Sequence, residues 1–110
     1  MKLPDVPFTV TDWSRIDPAE HKGETGTSFW RTVETKGLRA RIVNYSTGFR
    51  SDHWCARGHV LLVLEGELGI MLKDGRTFHL TPGMSFQAGD DEQNPHLAFS
   101  DSGAKVFMVD

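Results

Sequence analysis

The chain has 110 residues, of which 38% are hydrophobic and 25% are charged, a balance typical of one folded domain and not of a disordered segment. Its net charge of −3 provides no basic surface for nucleic acid or an anionic membrane, and no apolar run approaches the length of a membrane-spanning helix. The single cysteine, Cys55, excludes an internal disulfide and is typical of a reducing compartment, so we expect a cytoplasmic protein.

Residues 1–28 carry most of the irregular signals, because prolines and glycines interrupt every short apolar stretch. Asp12 or Thr11 is suited to cap a short helical turn at Trp13. We therefore predict an N-terminal arm over residues 1–28. We expect it to pack Phe8 and Trp13 on the main body, or to pack on a partner subunit.

From Ser28 onwards, short stretches of strand-forming residues alternate with turn sequences. Asp74-Gly75 is typical of a two-residue hairpin, and no stretch has the pattern of an amphipathic helix. This organisation predicts an all-β domain over residues 29–110, either a sandwich or a barrel. The predicted strands are 29–34, 38–45, 50–55, 59–65, 68–72, 76–80, 84–87, 96–99 and 104–109.

The predicted strand at 59–65 contains Val60-Leu61-Leu62-Val63-Leu64, which is apolar at every position. An antiparallel strand with one face in water normally alternates between apolar and polar residues, so this pattern indicates a strand covered on both faces. The second cover could be the N-terminal arm or a second copy of the chain. We predict a homodimer.

One short segment holds three side chains suited to metal binding, His53, Cys55 and His59. Because side chains alternate along a strand, positions 53 and 55 share a face, and His59 shares it if the turn between them keeps the register. Imidazole and thiolate suit zinc, copper, nickel and ferrous iron. His96, from a later strand, could complete the site. Hydrogen-bonded histidines and a packed thiol explain the same residues without a metal, so the residues alone leave both interpretations open.

These positions resemble a known family. Cupins carry a first motif of the form G-x5-H-x-H-x(3–4)-E-x6-G, and this chain has, in the same order, Gly48, His53, Cys55, His59 and Gly66. Further along, Pro82-Gly83 and Pro95-His96 resemble parts of the second cupin motif. The resemblance covers roughly residues 38–110. It implies an antiparallel β-barrel of the double-stranded β-helix, or jelly-roll, type.

The resemblance also implies a divalent metal ion held by His53, Cys55, His59 and His96. The chain departs from the motif at two of these positions, since Cys55 replaces the second histidine and His59 replaces the glutamate. These replacements favour zinc or copper over manganese and leave nickel and ferrous iron open. The spelling Asp52-His53-Trp54-Cys55 resembles a subgroup of small cupins named for its Asp-His-Cys-Trp motif.

Three functions suit such a chain. The first, which we expect, is a binding or sensing module whose metal-loaded barrel holds a small molecule or reports metal or redox state. The alternative is a metal-dependent enzyme of the dioxygenase or isomerase type, and the third is an interaction domain with a structural ion. Strand positions also allow Arg41 and Glu65 to face the barrel interior and hold a polar ligand. We expect Asp52 and Trp54 to point away from the metal and His79 to lie outside the site.

Overall fold

The computed structural model describes Leu3 and residues 5–110, and nearly all of its regular structure is antiparallel β-sheet. A short 3-10 turn, Trp13–Arg15, precedes the strands, and the Asp12 side chain caps it by accepting from the backbone N–H of Ser14. In chain order the strands are β1 (Ala19–Lys22), β2 (Thr27–Thr35), β3 (Leu38–Tyr45), β4 (Phe49–Arg50), β5 (His59–Gly66), β6 (Leu68–Leu72), β7 (Thr77–Leu80), β8 (Ser85–Ala88), β9 (His96–Ser100) and β10 (Ala104–Val109).

Two antiparallel sheets enclose one core. The larger sheet has the order β1-β2-β3-β10-β5-β8, and the smaller has the order β4-β9-β6-β7. Both sheets contribute to a single buried cluster, in which Val43 and Val106 from the larger sheet meet Leu68 and Ile70 from the smaller one. Interior and exterior residues alternate along β5 and β10, as expected for strands with one face on a core. The all-β prediction is confirmed.

The predicted strand over 50–55 is wrong. The ladder between β4 and β9 pairs Arg50 with Phe99, and pairing resumes only at the isolated bridge between Cys55 and His96. Four residues, 51–54, therefore lie opposite two, 97 and 98. The two extra residues prevent a regular ladder, so the strand breaks and its side chains do not alternate there.

The N-terminal segment contains a strand that the sequence did not reveal. β1 pairs with β2 in antiparallel register, with Ala19 opposite Trp30. Trp13 packs edge-on against Phe107 at a ring-centroid distance of 6.1 Å, as predicted. Phe8 is 96% exposed, so its expected packing on the main body is wrong. The division at residue 28 itself stays a prediction.

The described part of the arm leaves the outer face of β5 exposed. Val60, Leu62 and Leu64 are 43%, 37% and 38% exposed, although Leu61 and Val63 between them are buried. Across Leu3 and residues 5–110, the structure has no helix of the length and apolar character needed to span a membrane.

Candidate metal centre

The pairing of two distant segments brings Cys55 and His96 together. The backbone N–H of Cys55 donates to the carbonyl of His96 at 2.7 Å, and the N–H of His96 donates to the carbonyl of Cys55 at 2.9 Å. Two residues directly opposite each other in an antiparallel pair project their side chains to the same face. The bridge therefore places the thiol and the imidazole side by side.

His59 joins this pair as the first residue of β5. It follows the inward alternation of Leu61 and Val63, and its side chain is 8% exposed. The preceding Gly58 is needed for the close approach of the loop after β8, because a Cβ there would lie 2.4 Å from the carbonyl oxygen of Ala88. Nε2 of His59 is 3.6 Å from Sγ of Cys55, and its ring centroid is 5.0 Å from that of His96.

The three side chains fit a divalent cation. One donor atom from each of Cys55, His59 and His96 lies within 4.8 Å of the others, and no further group of this kind occurs in the described part of the chain. Tetrahedral zinc has bonds of about 2.3 Å to sulfur and 2.0–2.1 Å to nitrogen, which places a sulfur and a nitrogen ligand about 3.6 Å apart. The Cys55–His59 separation matches that value.

Both histidines are held in the neutral form that metal binding requires. Burial, together with the neighbouring His96, lowers the pKa of His59 to about 4, although the nearby Asp110 acts in the opposite direction. Burial, and then the charge of His53, lowers the pKa of His96. Near neutral pH both imidazoles therefore present a lone pair and not a second proton.

A buried carboxylate stands behind His59. Oδ2 of Asp110 is 3.1 Å from Nδ1 of His59, although the N–H is not aligned well enough for a good hydrogen bond. Burial alone would raise the pKa of Asp110, but hydrogen bonds from Arg39 and the charges of Arg41, Arg39 and His59 outweigh it and lower the pKa. An ionised carboxylate beside Nδ1 favours the tautomer with the proton on Nδ1, which leaves Nε2 free to face Cys55.

Asp110, which lies directly after β10, has no recognisable signal in the amino-acid pattern. Its position follows from the pairing of β10 with β3, which continues as a pair of backbone hydrogen bonds between Arg39 and Asp110, of 2.8 and 2.9 Å. The Arg39 side chain also donates to both carboxylate oxygens, at 2.9 and 2.7 Å. Only the register between β10 and β3 in the folded protein shows that Asp110, held by Arg39, lies beside His59.

His53 does not belong to the group of three. Its side chain is 70% exposed and its Nδ1 is 2.7 Å from Oδ1 of Asp52, a contact that lowers the pKa of that carboxyl. Positions 53 and 55 were expected to share a face because side chains alternate along a strand. Residues 51–54 do not form a strand, so that reason no longer applies to His53. The imidazole nevertheless lines the same cavity as the three donors, so its role as a ligand stays a prediction.

Three other candidate residues do not line the cavity beside the donors: His79, Trp54 and Glu65. His79 packs edge-on against Phe99 at 5.9 Å, and the Trp54 ring lies 4.4 Å from Nζ of Lys73. Glu65 is largely exposed and lies 3.7 Å from Lys105, so its expected interior position is wrong. Arg41 does face inward, since its side chain is 4% exposed.

The donors open onto a cavity of about 130 Å³ between the two sheets. Arg39, Arg41 and Tyr45 line it together with apolar side chains from both sheets. Burial raises the pKa of Tyr45 to about 12, so its hydroxyl keeps its proton. A small molecule in this cavity would therefore meet the three donor side chains, two guanidiniums and a phenol.

Comparisons with known proteins identify the architecture. No model of a protein family and no curated protein matches the sequence. Among solved structures, a predicted oxalate decarboxylase from Thermotoga maritima is similar, with a TM-score of 0.75 at 15% identity over 92% of this chain and 96% of that one. An RmlC-like cupin from Shewanella frigidimarina has a TM-score of 0.73 at 19% identity, over 94% and 89% of the two chains.

A third similar structure is the ectoine synthase of P. lautus, with a TM-score of 0.73 at 19% identity over 93% of this chain and 76% of that one. At these identities the likeness concerns the fold and not the activity. The two interleaved antiparallel sheets and the agreement over almost the whole chain lead to one conclusion: this protein has the cupin fold.

Proposed function

We propose that this protein binds one divalent metal ion through Cys55, His59 and His96 and uses the adjoining cavity to bind a small molecule. The observation that carries the proposal is the convergence of three donor atoms, within 4.8 Å of one another, beside a cavity of about 130 Å³. His53 lines that cavity and is the predicted fourth ligand.

Zinc is the proposed ion. One thiolate and two imidazoles form a donor set of the borderline-to-soft type that zinc favours, and copper, nickel and ferrous iron remain alternatives. When bound, such an ion supplies positive charge and a Lewis-acidic centre. The chain's own contribution is to keep two imidazoles neutral, to orient His59 through Asp110 and to enclose the ligand between two sheets.

A binding or sensing module is the function that we favour, because a thiol can bind a metal ion and can also be oxidised, and because the cavity is small. A metal-dependent enzyme, of the dioxygenase or isomerase type, is the second candidate. It is supported by the count of donors, since three protein ligands at a tetrahedral centre leave one position for water or substrate.

We also propose that a second copy of the chain covers the outer face of β5. Val60, Leu62 and Leu64 form an exposed apolar row, and Phe107 of the adjacent β10 is paired with Leu62. An interface between two copies related by a two-fold axis brings the same surface patch of each chain together. The row carries no charge, so two copies can meet without like-charge repulsion.

The metal proposal is tested by purifying the protein without an affinity tag, measuring its metal content and then titrating the stripped protein with zinc in competition with a chromophoric chelator. We expect one zinc per chain in the wild type and in His79→Ala, a matched histidine control outside the cavity. We expect Cys55→Ser and His96→Ala to lose tight binding. Failure of the wild type to take up any divalent ion would remove the proposal, and full occupancy by redox-inert zinc would count against dioxygenase chemistry.

A further inference from the structure

The cavity beside the three donors has an excess of positive charge. Arg39 and Arg41 both line it, and within the described chain no carboxylate does. Asp110 lies behind the wall and is engaged by Arg39 through two hydrogen bonds, of 2.9 and 2.7 Å. The exposed Arg57 also lies 3.7 Å from Oδ2 of Asp110. One carboxylate therefore faces three guanidiniums, and the buried charge of Arg41 is left without full compensation.

The guanidinium of Arg41 also has unused hydrogen-bonding capacity. Its side chain is 4% exposed, and Asp110 is its one hydrogen-bond acceptor among Leu3 and residues 5–110, at 3.2 Å from Nη2. Nε of Arg41 is buried and has no hydrogen-bond partner in the part of the chain that the structure describes. Arginine has five N–H donors, and buried donors are normally paired, so this side chain lacks an acceptor.

The position of Arg41 is fixed before any ligand arrives. Its guanidinium lies over the Trp30 ring at 4.4 Å, a cation–π geometry. Trp30 is itself held, because its Nε1 donates to Oγ of Ser28 at 2.9 Å and its ring stacks on His21 at 4.0 Å. A guanidinium clamped in this way loses little freedom when it binds an anion.

The remainder of the cavity wall favours a small organic anion. Apolar side chains form much of it, contributed by Leu61, Ile70, Phe86, Ala98 and Met108. The volume of about 130 Å³ corresponds to roughly four water molecules at about 30 Å³ each, far less than a pocket for a drug-sized ligand. Inorganic phosphate has no apolar part to place against this wall.

We propose that the cavity binds a small carboxylate of about two to four carbons, whose carboxylate group accepts hydrogen bonds from Arg41. This inference rests on the proposed small-molecule site and names the class of its ligand. The planar guanidinium matches a carboxylate in geometry and charge, and the apolar wall receives the carbon chain.

The test titrates the zinc-loaded protein with propionate and, separately, with its uncharged counterpart propionamide. Binding is followed by calorimetry and by the NMR signal of the Arg41 Nε–H group in ¹⁵N-arginine-labelled protein. We expect propionate to bind and to shift the Arg41 signal, and we expect propionamide to do neither. Arg41→Gln should weaken propionate binding at least about tenfold, whereas Arg76→Gln, which removes an exposed guanidinium paired with Asp74 at 2.8 Å, should leave it unchanged.

The outcomes separate this inference from the metal proposal. A protein that holds zinc but does not bind propionate, or that binds it without any shift at Arg41, overturns the carboxylate site and leaves the metal centre standing. Binding of inorganic phosphate in preference to propionate overturns the ligand class. Because the wild-type NMR signal reports on Arg41 directly, the test remains decisive if Arg41→Gln does not fold. If the protein takes up no metal, the metal proposal fails, and the same titration on the metal-free protein still decides the role of Arg41.

Discussion

Oδ2 of Asp110 lies 3.1 Å from Nδ1 of His59, which joins the residue after the last strand to the first residue of β5. An ionised carboxylate at this position favours the tautomer with the proton on Nδ1, which leaves Nε2 free to face Sγ of Cys55 at 3.6 Å. The metal affinity of this centre should therefore depend on a residue that is not one of the proposed ligands.

Replacement of Asp110 by asparagine preserves the shape of this side chain and removes its charge. We expect Asp110→Asn to lower zinc affinity about 10- to 100-fold, the usual effect of losing a partner that orients a metal-binding histidine. Chelator competition measures the change, with the exposed Asp101→Asn as the matched control. Equal affinities of Asp110→Asn and the wild type would show that the carboxylate does not orient His59 for metal binding.

The same substitution should also destabilise the metal-free protein. The Asp110 side chain is 1% exposed and ion-paired with Arg39 and Arg41. Removing one partner from a buried ion pair leaves uncompensated charge and costs about 3–5 kcal/mol. Urea denaturation of the metal-free proteins measures the loss, and an unfolding free energy within about 1 kcal/mol of the wild type would contradict this account.

The two candidate ligands of the irregular segment should differ in importance. Sγ of Cys55 is 3.6 Å from Nε2 of His59, a separation that suits two ligands of one ion. The ring of His53 is 70% exposed and would have to be ordered on binding. We expect Cys55→Ser to reduce zinc affinity by more than about 100-fold, beyond the range of an orienting residue. We expect His53→Ala to have a smaller effect, and the opposite order would place His53 ahead of Cys55 in the centre.

The stability of the metal-free protein should decrease in mild acid. The folded-state pKa of His59 is about 4 against an ordinary value of 6.5, so between these pH values the unfolded chain binds a proton that the folded chain does not. The unfolding free energy is therefore highest above pH 6.5 and falls as the pH drops towards 4, by on the order of 3 kcal/mol from His59. His96, whose pKa is also lowered, adds to the same slope.

Asp110 acts in a different pH range. Its folded-state pKa is below the ordinary 3.8, so its stabilising contribution is present above that value and is lost only as the pH falls through the lowered pKa.

Urea denaturation at pH 7 and pH 4.5 isolates the histidine contribution. His59→Gln should flatten the dependence between these two pH values, and an unchanged slope in that variant would exclude His59 as its source.

Introducing a charge into the exposed row of β5 should disrupt the proposed homodimer. Leu62→Glu places a carboxylate at the middle of the row and brings two like charges together in a two-fold interface. We expect the dissociation constant to rise about 30-fold or more, as for a central interface residue, in sedimentation equilibrium. Phe78→Glu is the matched control, because Phe78 is 46% exposed on the other sheet. A monomeric wild type would remove the homodimer proposal.

The amino-acid pattern was sufficient for most of the fold. The alternation and turn signals predicted β3, β6 and β10 with the bounds observed, and β2, β5 and β7 to β9 within two residues at each end, because local apolar periodicity determines these strands. β1 was missed because its four residues are all exposed, three of them are polar, and they pair only at an edge of the sheet. Its strand character comes from its partner β2 and not from its own composition.

The site could be predicted only in part. Cys55, His59 and His96 are recognisable from residue type and from the resemblance to cupin motifs, and the structure brings them together. The exposed position of His53 results from a mismatch in length, because the four residues 51–54 lie opposite only two residues, 97 and 98. This mismatch depends on pairing with β9, which is more than 40 residues away in the sequence. Asp110 carries no local signal, because only the register of β10 places it behind His59.

X-ray absorption at the metal edge, on protein purified without an affinity tag, is the most direct test of the central claim that a thiolate and two imidazoles from separate segments hold one ion. We expect a zinc edge with one sulfur ligand at about 2.3 Å and at least two nitrogen ligands at about 2.0–2.1 Å, and loss of the sulfur in Cys55→Ser. A spectrum of oxygen ligands alone, or one that Cys55→Ser leaves unchanged, would contradict it.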